Sequence, residues 1–268
     1  MNYPSGKTHI FFLIADPVAH VRAAQFINPL FERQKLDAFL LPLHVTAADL
    51  ADVIPRIAKI GNVKGLIFTI PHKETMARLC DDLGPNARMI GAVNAVRIEA
   101  SGRLVGEMFD GDGLVATAET SGMAIRDRRV LVVGTGGAGR AVAFGLAAAG
   151  AREVAVMNRT RDRAERLAAD LATHFPAVTS RVSTTGARNI DLVVNCTSLG
   201  LHEGDPLPID VATIAPSTDV IDIIAIRDTE LMQAARAKGC RVVGGRPMVE
   251  LQLDAQLRFC GMPPKLPA

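Results

Sequence analysis

Short apolar runs alternate with longer amphipathic segments over the first hundred residues. Residues 8–15 form a run rich in Ile and Phe, which is typical of a buried strand. Asp16-Pro17 interrupts that run, and residues 20–34 then carry apolar side chains at helical spacing. The same pattern predicts strands at 38–45, 65–69, 95–98 and 104–107, and helices after an N-terminal cap at Thr46 and at 73–80. This alternation indicates a separate α/β unit.

A second alternation occupies the rest of the chain. Val130–Val133 are apolar β-formers that run directly into a glycine-rich turn, and an Ala-rich helical segment follows at 138–149. Further strands are predicted at 152–157, 191–194 and 220–223, and helices at 111–121, 161–173, 229–238 and 247–259. The sequence therefore predicts a second α/β unit built around a strand, a tight turn and a helix.

The turn itself has the spacing of a dinucleotide-binding loop. Gly134 permits the tight turn, Gly136 lets the backbone approach a pyrophosphate, and Gly139 lets helix and strand pack closely. Gly137 and Ala138 complete a helix N-terminus whose free N–H groups attract phosphate. A glycine-rich turn without a ligand would have the same pattern, so the next strand must distinguish the two interpretations.

The strand at 152–157 ends in Asn158, Arg159 and Thr160, with Arg161 and Arg163 close behind. A fold that prefers NAD places an acidic residue here for the ribose 2′-hydroxyl, and this chain has none. Guanidinium and hydroxyl groups suit a 2′-phosphate, which Arg grips with two hydrogen bonds. The alternative is a solvated basic helix start, which opposes the helix dipole. The sequence therefore indicates NADP as the cofactor.

Composition limits the possible partners and locations. The 268 residues carry a net charge of +2, so neither a nucleic acid nor a membrane surface is expected as a partner. No apolar run reaches the length of a membrane span, and the N-terminus lacks the apolar core of a signal peptide. We therefore expect a cytoplasmic protein, a monomer or homodimer, with a small-molecule substrate. No metal is expected, because the cysteines lack metal-like spacing: Cys80, Cys196, Cys240 and Cys260.

Several separate stretches, in order along the chain, resemble motifs of the shikimate dehydrogenase family. The turn at Gly134–Gly139 and Asn158-Arg159-Thr160 are similar to its NADP site. The other matching stretches are Gly65–Lys73 (Asn-Val-Thr-x-Pro-x-Lys in the family), Ile90–Asn94 (Gly-Ala-Val-Asn), Asp110–Gly113 (Thr-Asp-Gly-x-Gly), Asn195–Gly200 (Asn-x-Thr-Ser-x-Gly) and Gly245–Gln252 (Gly-x-x-Met-Leu-x-x-Gln). The match covers nearly the whole chain.

The resemblance implies a fold and an activity. Residues 1–108 would form an α/β substrate-binding domain, residues 109–244 a Rossmann-type NADP-binding domain, and a C-terminal helix within 245–268 would return to the first domain. The active site would lie in the cleft between them. The implied reaction is hydride transfer between NADP and a cyclic hydroxy acid such as shikimate or quinate, or a related alcohol.

Site roles follow from the same resemblance. Lys73 and Asp110 would handle the proton and hold the reacting hydroxyl; which of the two takes the proton stays open, because a Lys beside a carboxylate stays charged unless something else lowers its pKa. Substrate contacts would come from Thr69, Asn94 and Gln252, and further cofactor contacts from Thr197, Ser198 and Gly245. Ordinary structural roles are the alternative: a solvated helix start for Lys73, an N-cap for Asp110, a turn residue for Asn94 and a helical surface residue for Gln252.

The departures from the family pattern cluster on the substrate side. The family's His-Ser-x-Ser-Pro, whose hydroxyls bind the shikimate carboxylate, is replaced here by His20-Val21-Arg22-Ala23-Ala24. Each lost hydrogen bond to a charged group costs about 1.5–3 kcal/mol, so losing two would weaken shikimate binding by roughly two to four orders of magnitude. Ile67, Met108 and Phe109 also replace polar residues of the family.

Three interpretations follow from these departures. The first is a divergent NADP-dependent alcohol oxidoreductase with an altered carboxylate site, in which Val21 and Ala23 stand at the substrate positions. The second is a non-catalytic NADP-binding sensor or regulator on the same fold. The third keeps shikimate or quinate as slow substrates, with other groups in place of the serines. Retention of both Lys73 and Asp110 favours the enzyme. Arg22 could supply a new carboxylate contact, although a solvated helical Arg is the simpler interpretation.

Overall fold

A computed structural model describes residues 4–19 and 21–262 of the chain, which divide into two compact units. The first unit contains the described residues up to Phe109 and those from Gln252 onward, and the second contains Asp110–Leu251. The C-terminal helix, Arg246–Phe259, therefore starts in the second unit and belongs to the first from Gln252 onward.

The first unit is a six-stranded mixed sheet with helices. Its strands lie in the order β2-β1-β3-β5-β6-β4, and β1, β2 and β3 run parallel. The strands are β1 (His9–Ala15), β2 (Ala38–His44), β3 (Val63–Phe68), β4 (Asp82–Leu83), β5 (Ala95–Ile98) and β6 (Leu104–Glu107); the helices are α1 (Ala23–Arg33), α2 (Leu50–Ile57), α3 (Lys73–Leu79) and α4 (Pro85–Ile90). Phe11 and Ile14 of β1 and Leu66 and Phe68 of β3 are fully buried, so these two adjacent strands supply part of the core.

Two predicted helix starts in this unit are wrong. Helix α1 begins at Ala23 rather than at residue 20, because Pro17 is followed by a turn in which the Val21 amide donates to the Val18 carbonyl, 2.9 Å away. His20 lies outside the described residues. Thr46 does not cap α2; its hydroxyl donates to the Asp49 carboxylate (2.7 Å), and Asp49 occupies the N-cap position. Helix α2 stays continuous through Pro55 and ends two residues later.

The second unit is a doubly wound parallel sheet. Its strand order is β12-β11-β10-β7-β8-β9, with every pair parallel, which is the strand order of a Rossmann fold. The strands are β7 (Arg129–Val133), β8 (Glu153–Met157), β9 (Thr179–Val182), β10 (Leu192–Asn195), β11 (Asp219–Asp222) and β12 (Val242–Val243). The helices are α5 (Asp110–Thr120), α6 (Gly137–Ala148), α7 (Arg161–His174) and α8 (Glu230–Ala237), and α9 (Arg246–Phe259) begins in this unit. The predicted fold class is therefore confirmed.

The strand order of the second unit reverses between β7 and β10. Ligands of open parallel sheets bind outside the carboxyl ends of the strands at such a switch point. The glycine-rich turn follows β7, and the Cys196-Thr197 segment follows β10. A Cβ on Gly134 would lie 3.0–3.1 Å from Thr197 Cγ2 and the Cys196 backbone, so the two loops are in contact.

Candidate active site

Lys73 is the first residue of α3 and is fixed through its backbone. The loop before it is tied to the sheet by the Thr69 amide, which donates to the Ile14 carbonyl (3.1 Å). The Lys73 carbonyl accepts a hydrogen bond from the Val93 amide at 2.9 Å, which brings the segment containing Asn94 beside the start of α3. The preceding His72 is only 1% exposed, and its Nε2 donates to the Val45 carbonyl (2.9 Å).

Asn94 and Gln252 meet in the interior of the first unit. Asn94 is 2% exposed, its Oδ1 accepts from the Phe109 amide (3.0 Å), and its Nδ2 donates to Gln252 Oε1 (2.9 Å). Gln256, one turn further along α9, donates to the same Gln252 oxygen at 2.9 Å. The family resemblance named Asn94 and Gln252 as separate substrate contacts; their contact with each other and the role of Gln256 were not predicted.

The positions of the two missing serines are apolar and half-buried. Val21 directly precedes the N-cap residue of α1, and Ala23 is the first residue of the helix. Neither side chain can form a hydrogen bond. Arg22 between them is exposed, and its guanidinium donates to the Ala19 carbonyl at 3.3 Å.

Asp16 and His44 form a contact that the sequence analysis missed. They follow or end the adjacent parallel strands β1 and β2, and Asp16 Oδ1 lies 2.9 Å from His44 Nε2. That hydrogen bond lowers the pKa of the Asp16 carboxyl. The Asp16 amide donates to the Ile70 carbonyl (3.3 Å), so this pair lies at the loop that leads to Lys73. Parallel strands share one carboxyl edge, and two polar residues at neighbouring strand ends are the signal that could have predicted the pair.

The glycine-rich turn of the second unit has free space beside Gly136 and none beside Gly139. A Cβ on Gly139 would collide with the Gly134 carbonyl, whereas a Cβ on Gly136 would meet nothing within 4 Å. Gly136 is the N-cap of α6, and no side chain caps the helix. The Thr135 hydroxyl is buried without a hydrogen-bond partner in the described part of the chain. Open backbone N–H groups and an unsatisfied buried hydroxyl fit the pyrophosphate of a dinucleotide.

The basic segment after β8 contains one arginine in an ion pair and two arginines without a partner among the described residues. Arg161 is bound to Glu165 one turn later (2.7 Å). No hydrogen bond or ion pair within residues 4–19 and 21–262 engages the exposed side chains of Arg159 and Arg163. The Asn158 amide donates to the Thr160 carbonyl (3.0 Å), which shapes the turn that presents them. Two exposed cations without a partner among the described residues therefore lie just after the end of β8.

Asp110 begins α5 and is 3% exposed. The next residue, Gly111, lies so close to α6 that an added Cβ would be 2.5 Å from the Ala141 carbonyl oxygen. The Asp-Gly sequence therefore fixes the start of α5 against the helix that follows the glycine-rich turn. Burial raises the pKa of Asp112, two residues further on.

A buried polar network holds the loop after β10. Asn195 is fully buried; its Oδ1 accepts from the amide (3.1 Å) and hydroxyl (2.7 Å) of Thr197, and its Nδ2 donates to Asp222 Oδ1 (3.1 Å). Burial raises the pKa of Asp222, which also accepts from the Thr229 hydroxyl (2.8 Å). Ser198 is exposed at the tip of this loop.

Gly245 stands at the start of α9. A Cβ on it would collide with the Ile223 carbonyl, and its amide donates to the Ile224 carbonyl at 3.0 Å. The start of α9 is therefore held against the loop after β11, on the same edge of the sheet as the Asn195 network. No side chain larger than hydrogen fits at this contact.

The part of the chain that the structure describes contains neither a metal-binding cluster nor a membrane-spanning helix. Residues 4–19 and 21–262 contain no group of three or more His, Cys, Asp or Glu side chains able to hold a metal ion. None of the described helices is both long enough and apolar enough to cross a membrane.

Comparison with known proteins gives a consistent result. Residues 13–96 match the shikimate dehydrogenase substrate binding domain, and residues 116–202 match shikimate / quinate 5-dehydrogenase. The shikimate dehydrogenase (NADP(+)) of Acidiphilium cryptum is 37% identical over 247 residues, which span 91% of this chain and 87% of that protein.

Solved structures agree with the sequence matches. Shikimate 5-dehydrogenase from Thermus thermophilus in complex with NADP(H) and shikimate is 30% identical with a TM-score of 0.86, over 96% of this chain and 95% of that one. The ligand-free 5-ketofructose reductase of a Gluconobacter species is 29% identical with a TM-score of 0.83, over 95% and 93%. The chain therefore belongs to the shikimate dehydrogenase family of NADP-dependent oxidoreductases that act on CH–OH groups.

Proposed function

We propose that this protein transfers hydride between NADP and a secondary alcohol of the shikimate or quinate type, or a related polyhydroxylated alcohol, at a site that has lost the usual hydroxyl contacts to a carboxylate. Two observations together support this proposal: the retained motif residues and the two replaced serines. The Lys, Asp, Asn and Gln of the family motifs are present, with Lys73 held through its backbone and Asn94 bonded to Gln252, while the two serine positions are Val21 and Ala23.

Lys73 and Asp110 would carry the proton chemistry. Oxidation of a secondary alcohol sends the hydride of the C–H bond to the nicotinamide of NADP and the hydroxyl proton to a base. Lys73, at the start of α3, and Asp110, at the start of α5, are the two groups assigned to that hydroxyl. The backbone contacts of Lys73 with Val93 and of Gly111 with Ala141 support this role, because they fix both residues where the chain enters a helix.

Thr69, Asn94 and Gln252 would bind the remaining hydroxyls of the substrate. Their side chains supply both donors and acceptors, which suits an alcohol with several hydroxyl groups. The hydrogen bond between Asn94 and Gln252 supports this assignment, because it makes one structural unit of two residues that are 158 positions apart.

The altered end of the substrate site would accept an uncharged group better than a carboxylate. A carboxylate placed against Val21 and Ala23 loses water without gaining a donor, which is costly. The Gluconobacter 5-ketofructose reductase supports this direction of change, since 5-ketofructose is a sugar without a carboxylate and that enzyme shares the fold over nearly the whole chain.

The second unit would bind NADP. Gly134, Gly136, Gly137, Ala138 and Gly139 would hold the pyrophosphate; Asn158, Arg159, Thr160 and Arg163 would hold the adenosine 2′-phosphate; Thr197, Ser198 and Gly245 would lie on the nicotinamide side. The free space beside Gly136 supports these roles. So do the guanidinium groups of Arg159 and Arg163, which have no partner among the described residues. The first unit would then supply the alcohol site, and the protein would act in the cytoplasm.

The test is a turnover panel at fixed NADP+ or NADPH concentration. The panel contains shikimate, quinate, their uncharged polyol analogues and the corresponding ketones, including 5-ketofructose. We expect turnover of at least one uncharged substrate that exceeds the turnover of shikimate, together with NADP binding. NADP binding without turnover of any panel member would favour the sensor or regulator instead.

A further inference from the structure

We propose that Gln256 is a positioning residue that locks the Gln252 side chain as a hydrogen-bond donor toward the substrate. This inference rests on the proposed function, in which Gln252 contacts the substrate. It adds a residue for which no role was assigned, and it specifies which atom of Gln252 faces the ligand.

The chain of hydrogen bonds begins at Phe109. Its backbone N–H can only donate, and it points at Asn94 Oδ1 from 3.0 Å. The Asn94 side-chain oxygen must therefore occupy that position, which leaves its NH₂ group facing Gln252. An amide NH₂ is a donor only, so the atom of Gln252 that it meets at 2.9 Å must be the oxygen.

Gln256 adds a second donor to the same oxygen. Its Nε2 lies 2.9 Å from Gln252 Oε1, one turn along α9, where the spacing of four residues brings the two side chains onto one face. Both glutamines are buried, with 8% of Gln252 and 5% of Gln256 exposed. Two donors on one oxygen resist a flip of the Gln252 amide, because the flipped group would oppose N–H to N–H twice.

The consequence is that the Gln252 NH₂ group is available to a ligand. Gln252 Nε2 makes no hydrogen bond to any of the residues 4–19 and 21–262. It is also not one of the buried polar atoms that lack a hydrogen-bond partner in those residues. It therefore touches solvent beside Asn94, which follows the Val93 residue bonded to the Lys73 carbonyl. The substrate group that meets Gln252 must act as an acceptor there, as a hydroxyl, ketone or carboxylate oxygen does.

The experiment compares two substitutions of Gln256: one removes the donor to Gln252 Oε1, and the other replaces that donor with an acceptor. Gln256→Met keeps length and apolar packing but removes the donor. Gln256→Glu, when ionised, replaces the donor with an acceptor and pulls the Gln252 NH₂ group toward itself. Gln25→Met and Gln25→Glu, at an exposed position on α1, are the matched controls. The assay uses the panel substrate with the highest turnover and saturating NADP cofactor.

We expect KM for that substrate to rise about 3- to 10-fold in Gln256→Met, the effect of one neutral hydrogen bond, with KM for NADP unchanged. Gln256→Glu should lose more at pH 8 and recover relative to wild type as the pH falls, because the protonated carboxyl again donates to Gln252 Oε1. The Gln25 variants should match wild type at every pH. Where Gln252→Glu lowers activity, a Gln256→Glu to wild-type ratio that does not change with pH, or wild-type kinetics in both Gln256 variants, would overturn the proposal.

A measurement on the side chain itself separates this inference from the proposed function. The ¹⁵N–¹H signals of the Gln252 side-chain NH₂ group, assigned with Gln252→Glu, should shift with pH in Gln256→Glu and not in wild type. A pH-dependent shift together with wild-type kinetics in both the Gln252 and Gln256 variants would support the lock and contradict the substrate role of Gln252. If the signals do not shift with pH and activity is lost only in Gln252→Glu, the lock is contradicted and the substrate role of Gln252 is not.

Discussion

At the scale of single residues, Lys73 has the most direct consequence for turnover. Lys73→Ala should lower kcat about 10²- to 10⁴-fold, the usual effect of losing a positioned proton-transfer group. The dissociation constant of NADP should barely change, because the cofactor contacts assigned above all lie in the second unit. Lys59→Ala, at an exposed position, is the control and should behave like wild type. Stopped-flow turnover near the wild-type rate in Lys73→Ala would remove Lys73 from the mechanism.

Arg159 determines cofactor preference in this account. Its guanidinium has no partner within the described residues, whereas neighbouring Arg161 is held by Glu165. Arg159→Ala should therefore raise the dissociation constant of NADP about 10- to 150-fold, the effect of about 1.5–3 kcal/mol for hydrogen bonds to a charged group, and leave that of NAD nearly unchanged. Arg161→Ala is the matched control and should change NADP binding much less. Calorimetric titration of both cofactors gives these constants, and equal losses in the two variants would contradict the assignment.

A third residue-scale prediction concerns stability against acid. Two hydrogen bonds from the Arg129 guanidinium lower the pKa of Asp191 to about 2, below the value of about 3.9 for an unfolded chain. A carboxyl with a depressed pKa stabilises the fold above the unfolded value, and that stability is lost as the pH falls toward the folded value. The Tm difference between wild type and Asp191→Asn should thus be full at pH 6 and shrink between pH 4 and about 2.

Asp52 provides the comparison for that experiment. It pairs with Arg56 one turn along α2, but its side chain is 68% exposed. Solvent screens such a pair, so Asp52→Asn should change Tm little at any pH. A pH-dependent difference of equal size in the two variants would mean that a general charge effect, rather than the Arg129 pair, controls acid stability.

At the scale of elements, two glycines in the turn between β7 and α6 have different roles: one is needed for stability and the other for NADP binding. Gly139→Ala introduces a Cβ that collides with the Gly134 carbonyl, so it should lower Tm by several degrees, in line with a cost of about 1–3 kcal/mol for overpacking. Gly136→Ala meets nothing within 4 Å and should leave Tm close to wild type while weakening NADP binding at least about tenfold, since the backbone could no longer approach the phosphates. Thermal melts with and without NADP test both. A Gly136→Ala protein with unchanged NADP affinity would contradict the cofactor site.

Most strands and helices were predictable from the sequence, and the shortest ones were not. Strands such as β7 and helices such as α7 carry enough residues for a hydrophobic period to stand out. The two-residue strands β4 and β12 cover only a single period of the strand alternation, and α4 has only six residues. Thr46 has the chemistry of a helix cap, but its hydroxyl bonds to the Asp49 side chain, so the local turn decides where α2 begins.

At the scale of the whole molecule, the motifs were easier to predict than the contacts that support them. The glycine-rich turn and Lys73 belong to contiguous stretches of sequence and could be identified without a structure. The Asn94–Gln252–Gln256 network joins residues up to 162 positions apart, and the Asp16–His44 contact depends on two strands being neighbours. Such contacts arise from topology, which one sequence does not specify residue by residue. The monomer or homodimer expectation remains a prediction.

The central claim is that Val21 and Ala23 leave the carboxylate end of the substrate site without donors. The most direct measurement is kcat/KM for shikimate in wild type and in the double variant Val21→Ser with Ala23→Ser, at saturating NADP+. The account predicts a poor wild type and a gain of about tenfold or more on restoring the two hydroxyls, or about 1.4 kcal/mol per decade. A wild type with kcat/KM already at or above about 10⁴ M⁻¹s⁻¹, within the ordinary enzyme range, would contradict it and would direct attention to Arg22 as the carboxylate contact.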